Sequence, residues 1–375
     1  SILKIMSKNM KKYFQKYKKK IIFFCPSIEE GGVEKNLILT SNELVNKYQV
    51  SIITANKNKK KFFKKKINIL CPSVFNFSYN LRLIKSVICL IYGLVFLSKK
   101  SIIISYESNL FAIILAKLLN SKVIIRSNAH PKGYLNNKYK LFIFKIFFRL
   151  SNAVIVNSYE FKKSIDKLFK IRSKVLYNSL DNQNYFLKSK SKNKFIKNKN
   201  CYNLICIGRL VEQKDHLTIL NALKVLKNKL KYKLTVLGKG KLINHLETFC
   251  KKNELTKNVS FLGYKNNVYP YLKASDCLIL SSLYEGQPNV ILEAISMRKL
   301  VISSDCPTGP NEILLKGRAG YLFKPKNYKE LASKIYFSFK NKKASIRKIQ
   351  LASKTLKKYD IKKNTKEFIK IIENV

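Results

Sequence analysis

The sequence is poor in the residues that build metal centres and disulfide frameworks. Its 375 residues contain no Trp, only three His, which are isolated from one another, and eight Cys without any Cys-x-x-Cys spacing. Most of the Cys lie in apolar runs, such as the run of Ile and Phe that ends at Cys25. We expect these thiols to pack as small hydrophobic side chains in a reducing compartment, with neither a disulfide nor a bound metal.

Long hydrophobic segments are also missing. The apolar run from Ser86 to Leu97 is shorter than the ~20 residues that a membrane-spanning helix needs. The apolar run from Ile21 to Cys25 follows a basic stretch and is too short for the core of a signal peptide. These lengths predict a cytoplasmic protein without a membrane span.

The scarcity of acidic residues leaves a formal net charge of +54, from 75 Lys and Arg against 21 Asp and Glu. Only eight of the cations are Arg, and this usage of Lys, with abundant Asn and Ile, is typical of an AT-rich genome. A protein that reads DNA sequence relies on Arg, whose planar fork pairs with guanine edges and phosphates. The charge therefore favours an anionic membrane surface as a partner, and a nucleic-acid-binding basic protein is the alternative from another functional class.

The order of apolar segments predicts an α/β chain with two domains. Short apolar runs alternate with segments of helical periodicity, which is typical of βαβ units and a parallel sheet. The low-complexity stretch 188–200 separates a domain over 1–187 from one over 201–345, and we expect the helical segment 346–375 to pack back toward the first. The predicted strands are 20–25, 49–54, 101–105, 122–126 and 153–157, then 204–207, 233–237, 259–262, 277–281 and 300–303.

Two cations follow the first strand of the second half. Arg209 comes directly after Gly208 and Lys214 follows in the same loop, at the strand end where α/β sheets bind ligands. Such a pair suits a diphosphate leaving group, whose negative charge grows as its bond breaks. The alternative is that both are ordinary surface cations, which applies more to Lys214 because Lys is abundant and Arg is rare.

Two acidic residues stand out in a chain with so few. Glu285 lies in a loop that leads through Pro288 into a helix, and Glu293 follows within that helix after seven intervening residues. Their carboxylates can accept hydrogen bonds from sugar hydroxyls and from a ribose. Glu285 could instead complement the helix dipole and Glu293 could be solvated, although the neighbours of Glu293 are mostly apolar.

These motifs together resemble the GT4 family of retaining glycosyltransferases. The resemblance rests on Gly-Arg-Leu-x-x-x-Lys from Gly208, on Glu-x7-Glu from Glu285, and on Gly31-Gly32 with Glu34 in the first loop. The segment 306–314, Cys-Pro-Thr-Gly-Pro-Asn-Glu-Ile-Leu, resembles members that handle N-acetylhexosamines, such as bacterial N-acetylgalactosamine transferases of glycan assembly. The match is continuous from about Leu204 to Phe323 and looser before it. Asp215 and Gln287 depart from the common pattern without removing a functional side chain.

The resemblance implies a role for each matching residue. Gly31 and Gly32 would let backbone amides approach a donor phosphate or the acceptor. His130 would contact the donor sugar, Arg209 and Lys214 would hold the diphosphate, Glu285 would contact sugar hydroxyls and Glu293 the ribose. The remaining donor-binding residues would be Gly208, Gly286, Pro288, Asn289, Gly309 and Asn311.

The implied fold is GT-B, an α/β architecture of two Rossmann-like domains that face each other across a cleft, the first for the acceptor and the second for the nucleotide sugar. The implied enzyme is a hexosyltransferase that moves an N-acetylhexosamine, GalNAc ahead of GlcNAc, from a UDP-sugar to a lipid-linked or polysaccharide acceptor with retention of configuration. A hexosyltransferase with a glucose, galactose or mannose donor is the alternative. The six Asp nowhere form Asp-x-Asp, so we expect a metal-independent reaction without a cofactor.

Two segments of the first half, 81–97 and 139–150, combine apolar residues with Lys and Arg. Together with the Lys-rich stretches 11–20 and 57–66, they predict peripheral binding at the inner face of the cell membrane. The alternative is that both are core-facing helices whose Lys side chains are solvated.

Overall fold

The computed structural model describes residues 19–28, 31–56, 60–72, 82–128, 137–180, 197–198 and 200–375. It divides the chain into two compact units. The first comprises the described residues up to Ser179 together with Ile361–Val375, and the second comprises those of Leu180–Asp360.

The first unit is built on a sheet of seven parallel strands in the order β3-β2-β1-β4-β5-β6-β7. Its central strands are short runs of Ile, Val and Phe that are buried on both faces, as a parallel sheet covered by helices requires. The strands are β1 Lys20–Phe24, β2 Gln49–Ile53, β3 Asn68–Leu70, β4 Ile102–Ser105, β5 Lys122–Arg126, β6 Ala153–Val156 and β7 Lys174–Val175.

Helices cover both faces of this sheet. The helices are α1 Gly32–Leu44, α2 Arg82–Phe96, α3 Asn109–Leu118, α4 Lys138–Arg149 and α5 Tyr159–Phe169. Helix α1 contributes Leu37 and Leu44 to the core on one face. The other four pack on the opposite face, where residues such as Cys89 of α2, Leu115 of α3 and Phe148 of α4 are buried.

The second unit repeats the plan with six parallel strands in the order β10-β9-β8-β11-β12-β13. In both sheets the strands that come first and fourth along the chain lie side by side at the centre, and this is the order of the Rossmann fold. The strands are β8 Tyr202–Ile207, β9 Tyr232–Leu237, β10 Val259–Phe261, β11 Cys277–Leu280, β12 Leu300–Ser304 and β13 Tyr321–Phe323.

The helices of the second unit are α6 His216–Leu226, α7 Ile243–Lys252, α8 Tyr269–Ala274, α9 Asn289–Ser296, α10 Pro310–Ile313, α11 Tyr328–Lys340 and α12 Lys342–Thr355. A short 3-10 helix, Glu212–Lys214, precedes α6. The prediction of two Rossmann-like α/β units is confirmed. All eight Cys are free, and all but the half-buried Cys201 are buried.

The segment 346–375 divides between the units, whereas the sequence predicts that it packs back toward the first domain. Residues up to 355 belong to α12, whose Ile349 packs against the core of the second unit. The last helix, α13 Ile361–Glu373, packs against α1 and buries Phe368 and Ile372 in the first core. The segment divides because the apolar side chains of α12 are buried against the second core and those of α13 against the first. The predicted linker lies outside the described residues except for 197, 198 and 200.

Within the described residues, none of the helices is both long enough and apolar enough to cross a membrane.

Candidate active site

Three loops of the second unit carry most of the predicted site residues. They follow β8, β11 and β12, which are neighbours in the sheet, so their carboxyl ends lie at one edge. The backbone joins the loops directly. The amide of Leu283 donates to the carbonyl of Gln213 at 2.8 Å, and the amide of Glu285 donates to the carbonyl of Pro307 at 3.3 Å.

An ion pair between Lys214 and Glu285 lies at this edge. Lys214 Nζ donates to Glu285 Oε1, and the two side chains are only 16% and 9% exposed. Ser282 Oγ donates to the same carboxylate oxygen at 2.6 Å. Both contacts use Oε1, and within the described chain Oε2 accepts no hydrogen bond. The pair therefore presents an ammonium group with remaining donors beside a free carboxylate oxygen.

Gly208 and Arg209 form the start of the loop after β8. A Cβ atom on Gly208 would lie 3.5 Å from Lys214 Cδ, so the aliphatic part of Lys214 packs along this glycine. The side chain of Arg209 is exposed and makes no ion pair with any described residue. Its guanidinium is thus available to an anion, on the same loop as Lys214.

The loop after β12 packs tightly against the loop after β11. Thr308 Oγ1 donates to the carbonyl of Glu285. Gly309 has φ +85°, and a Cβ atom there would lie only 2.0 Å from the carbonyl oxygen of Gly286. A larger residue at 309 would push the two loops apart, which explains why glycine is needed at this position.

The other predicted donor-binding residues surround the start of α9. Pro288 caps the helix, Asn289 is its first residue, and Glu293 lies within it with 5% exposure. Asn311 lies in α10, a helix of one turn, and its side chain donates to Asp305 Oδ1 at 2.7 Å. The burial of Glu293 agrees with its mostly apolar neighbours in the sequence and not with a solvated position.

Sequence reasoning missed a second pair of glycines at this edge. Gly238 and Gly240 follow β9, and a Cβ atom on them would lie 1.8 Å from the carbonyl oxygen of Gly208 and 2.3 Å from that of Leu210. They let the loops after β8 and β9 approach closely. The signal in the sequence is Gly-Lys-Gly directly after the predicted strand 233–237.

His216, the first residue of α6, was also missed. It is 3% exposed, and neither ring nitrogen has a hydrogen-bond partner among the described residues. Burial, and secondarily the charge of Lys214, lowers the pKa of His216 to about 4. The imidazole is therefore neutral at physiological pH.

In the first unit, Gly31 caps α1 and Gly32 is its first residue. A Cβ atom on Gly31 would lie 2.5 Å from Glu34 Oε2, so a carboxylate occupies the helix start where the sequence predicts a phosphate or the acceptor. An acidic group here complements the positive end of the helix dipole. His130 lies outside the described residues, and the structure does not test its predicted role. Among the described residues, no group of three or more His, Cys, Asp or Glu is placed to hold a metal ion.

Comparisons with known proteins show a family that matches part of this chain. Residues 188–355 match the family described as Glycosyl transferases group 1. An uncharacterized glycosyltransferase of Methanocaldococcus jannaschii is 36% identical over 209 residues, which are 52% of this chain and 51% of that protein. The match thus spans about half the length of that relative.

A second relative is covered almost completely. The Campylobacter jejuni GalNAc-α-(1→4)-GalNAc-α-(1→3)-diNAcBac-PP-undecaprenol α-1,4-N-acetyl-D-galactosaminyltransferase is 26% identical over 364 residues, 95% of this chain and 99% of that protein. Among solved structures, HepE of Anabaena in complex with UDP-glucose superposes with a TM-score of 0.78 at 16% identity, over 95% of this chain and 100% of HepE. The chain therefore has the GT-B fold, and its residues 188–355 match the family described as Glycosyl transferases group 1.

Proposed function

We propose that this protein is a glycosyltransferase that moves an N-acetylhexosamine, GalNAc ahead of GlcNAc, from a UDP-sugar to a lipid-linked or polysaccharide acceptor. The observation that carries the proposal is the Lys214–Glu285 pair at the carboxyl edge of β8 and β11, with the exposed Arg209 on the same loop as Lys214. The reaction breaks the bond between the sugar C1 and the diphosphate oxygen, and the electron pair leaves with UDP. A new bond forms between C1 and the acceptor oxygen, and the proton of the acceptor hydroxyl passes to the departing diphosphate.

Each group of the pair has a task in this step. The Lys214 ammonium has three donors and uses one on Glu285, so the others can bind the diphosphate as its charge grows. Arg209 adds a planar pair of donors to the same phosphates. Glu285 Oε2 can accept from a sugar hydroxyl, and Glu293 can accept from the ribose. In this scheme two cations stabilise the leaving group, which is why we propose a reaction independent of metal and cofactor.

Two of the similar proteins bear on the choice of donor sugar and acceptor. The Campylobacter jejuni relative is named for N-acetylgalactosamine and for an undecaprenol-linked substrate, which supports GalNAc and a lipid-linked acceptor. HepE is described in complex with UDP-glucose, which favours a hexose donor as the second candidate. Retention of configuration follows the GT4 resemblance, and NMR of the product anomer tests it.

A panel of donors tests the choice of sugar. Hydrolysis and transfer are measured with UDP-GalNAc, UDP-GlcNAc, UDP-glucose, UDP-galactose and GDP-mannose. We expect kcat/KM to be at least ~10-fold higher for the N-acetylhexosamine donors, because a site that binds the acetamido group leaves polar groups unpaired with a hexose. A preference for UDP-glucose or GDP-mannose would refute the proposed donor.

Chelation tests the metal-independent step separately. We expect activity to persist when the protein is dialysed against EDTA and assayed in its presence. Activity that collapses in EDTA and returns with Mn²⁺ would show that a metal, and not Arg209 and Lys214 alone, stabilises the diphosphate.

A further inference from the structure

Three neighbouring helices of the first unit expose large apolar side chains on their outer side. Helix α3 packs between α2 and α4 on one face of the sheet. Leu83, Ile91, Val95 and Phe96 of α2, with Tyr139 and Phe142 of α4, are each more than half exposed. We call the outer side of α2, α3 and α4 the apolar face. Exposed apolar side chains that gather on neighbouring helices mark sites for another protein or a membrane.

The apolar face is distinct from the side of these helices that packs into the core of the first unit. The inner side of α2 is already packed, since Cys89 is fully buried and a Cβ atom on Gly93 would lie 2.7 Å from Leu115 Cδ2. Helix α5, which packs beside α4 in the same layer, instead exposes Lys163 and Lys167. Exposed apolar side chains are therefore not a general property of this helix layer but are concentrated on α2–α4.

The charge of the apolar face points to the chemistry of its partner. Helices α2, α3 and α4 contain no acidic residue, and exposed cations at their ends include Lys99, Lys117, Lys140 and Arg149. A second copy of this chain would bring the same cations face to face in a molecule of net charge +54. An anionic lipid bilayer supplies both an apolar interior and negative headgroups, so it complements this surface in both respects.

We propose that the apolar face docks into the headgroup region of an anionic bilayer. Each Lys or Arg near such a surface contributes ~1 kcal/mol, and burial of the apolar side chains adds ~25 cal/mol per Å².

Helix α2 also connects this face to the strand ends of the first unit. Its Lys85 is buried, and Nζ donates to Ser27 Oγ at 3.3 Å, in the loop that follows β1.

The purpose of docking rests on the proposed function, because a lipid-linked acceptor is reached at a membrane. The binding itself needs neither donor nor acceptor, so it can be tested alone. Flotation with vesicles of phosphatidylcholine, and with vesicles that also contain phosphatidylglycerol, is measured at low and high NaCl. We expect the protein to float with the anionic vesicles at low salt, and high salt to weaken but not abolish this.

A matched pair of variants tests the surface. The triple variant Ile91→Gln, Val95→Gln, Phe142→Gln should lower partition onto anionic vesicles by at least ~10-fold, since it removes three inserted side chains. The control Val225→Gln, Phe337→Gln, Ile346→Gln changes exposed apolar residues of the second unit and should alter partition less than ~2-fold. If the triple variant has a lower melting temperature, Phe142→Gln with Ile146→Gln in α4 alone replaces it.

The possible outcomes separate the alternatives. Wild-type protein that stays unbound on anionic vesicles at low salt overturns the proposal. A triple variant that floats like the wild type assigns binding to net charge and also overturns it, as does ultracentrifugation that reveals a dimer lost in this variant. Failure of the proposed function looks different, because donor hydrolysis by the wild type would then be absent while flotation is unchanged.

Discussion

At the scale of single residues, the Lys214–Glu285 pair determines what the candidate site can do. Replacement of Lys214 by Ala should lower turnover by ~100-fold or more, because it removes a charge that stabilises the leaving diphosphate. Lys241→Ala is the matched control, since Lys241 forms an ion pair with Glu212 at 2.8 Å near the same loop but both side chains are largely exposed. The control should retain turnover within ~2-fold.

Steady-state kinetics of donor hydrolysis check this prediction, with circular dichroism to establish that both variants fold. Equal turnover in Lys214→Ala and the wild type would exclude Lys214 from the diphosphate clamp. Equal losses in the two variants would mean that general positive charge, and not this ion pair, matters.

His216 predicts a pH dependence of stability. Burial lowers its pKa from 6.5 in the unfolded chain to about 4 in the folded protein. Between these values the unfolded state binds more protons, so the contribution of His216 to stability falls as pH decreases from about 6.5 toward 4, by ~1.4 kcal/mol per pH unit at most. His216→Leu should therefore lose ~2 kcal/mol less than the wild type between pH 7 and pH 5.

Urea unfolding at both pH values measures this difference. The control is His245→Gln, which replaces an exposed histidine on α7. If His216→Leu loses as much stability as the wild type on acidification, other groups account for the acid sensitivity.

At the scale of elements, apolar periodicity was enough to predict most strands and helices. The predicted strands 122–126 and 233–237 differ from β5 and β9 by at most one residue, because buried runs of Val, Ile and Leu have few other stable arrangements. The very short strands β3 and β7 were not predicted, since two or three residues are too few to show periodicity. The return of α13 to the first unit was expected, but not that α12 stays with the second unit, because an amphipathic helix does not specify which core it covers.

The positions of the loops in the candidate site were predictable from the sequence, but the contacts between them were not. Each loop was expected at the carboxyl end of a strand, as Rossmann topology requires. Contacts between loops depend on tertiary packing, so neither the Lys214–Glu285 pair nor the approach of Gly238 to Gly208 could be inferred from local sequence. The glycines themselves were visible in the sequence, but the atoms they approach were not.

The junction of the loops after β11 and β12 allows a test of close packing. Gly309 and Gly317 both have φ +85°, but a Cβ atom on Gly309 would lie 2.0 Å from Gly286 O, whereas the nearest atom to one on Gly317 is 3.9 Å away. Gly317→Ala should cost only the backbone strain, ~1–3 kcal/mol. Gly309→Ala should cost more and should also raise KM for the donor, because the loop of Glu285 must move.

Melting temperatures and donor kinetics of the two variants decide this prediction. Gly317→Ala controls for backbone strain, so its KM should match the wild type. Equal stability and equal KM in the two variants would mean that the loops accommodate the added methyl group without moving.

At the scale of the whole molecule, the net charge of +54 must be compatible with the proposed nucleotide-sugar site. So large a positive charge attracts any polyanion, including nucleic acid. Such binding releases counterions, so its affinity falls as the salt concentration rises. Binding of UDP in a built site depends on particular hydrogen bonds and is less sensitive to salt. The salt dependence of ligand stabilisation therefore separates the glycosyltransferase from the nucleic-acid-binding alternative.

We expect UDP at ~100 times its dissociation constant to stabilise the protein by ~2.7 kcal/mol, which corresponds to roughly 5–10 °C in melting temperature for a unit of this size. The shift should persist at high NaCl and should shrink in Lys214→Ala, while the control Lys241→Ala keeps it. Duplex DNA should raise the melting temperature only at low salt, if at all. A shift with DNA that survives high salt, combined with no shift from UDP, would favour nucleic acid as the ligand, because only a specific interface resists salt in this way.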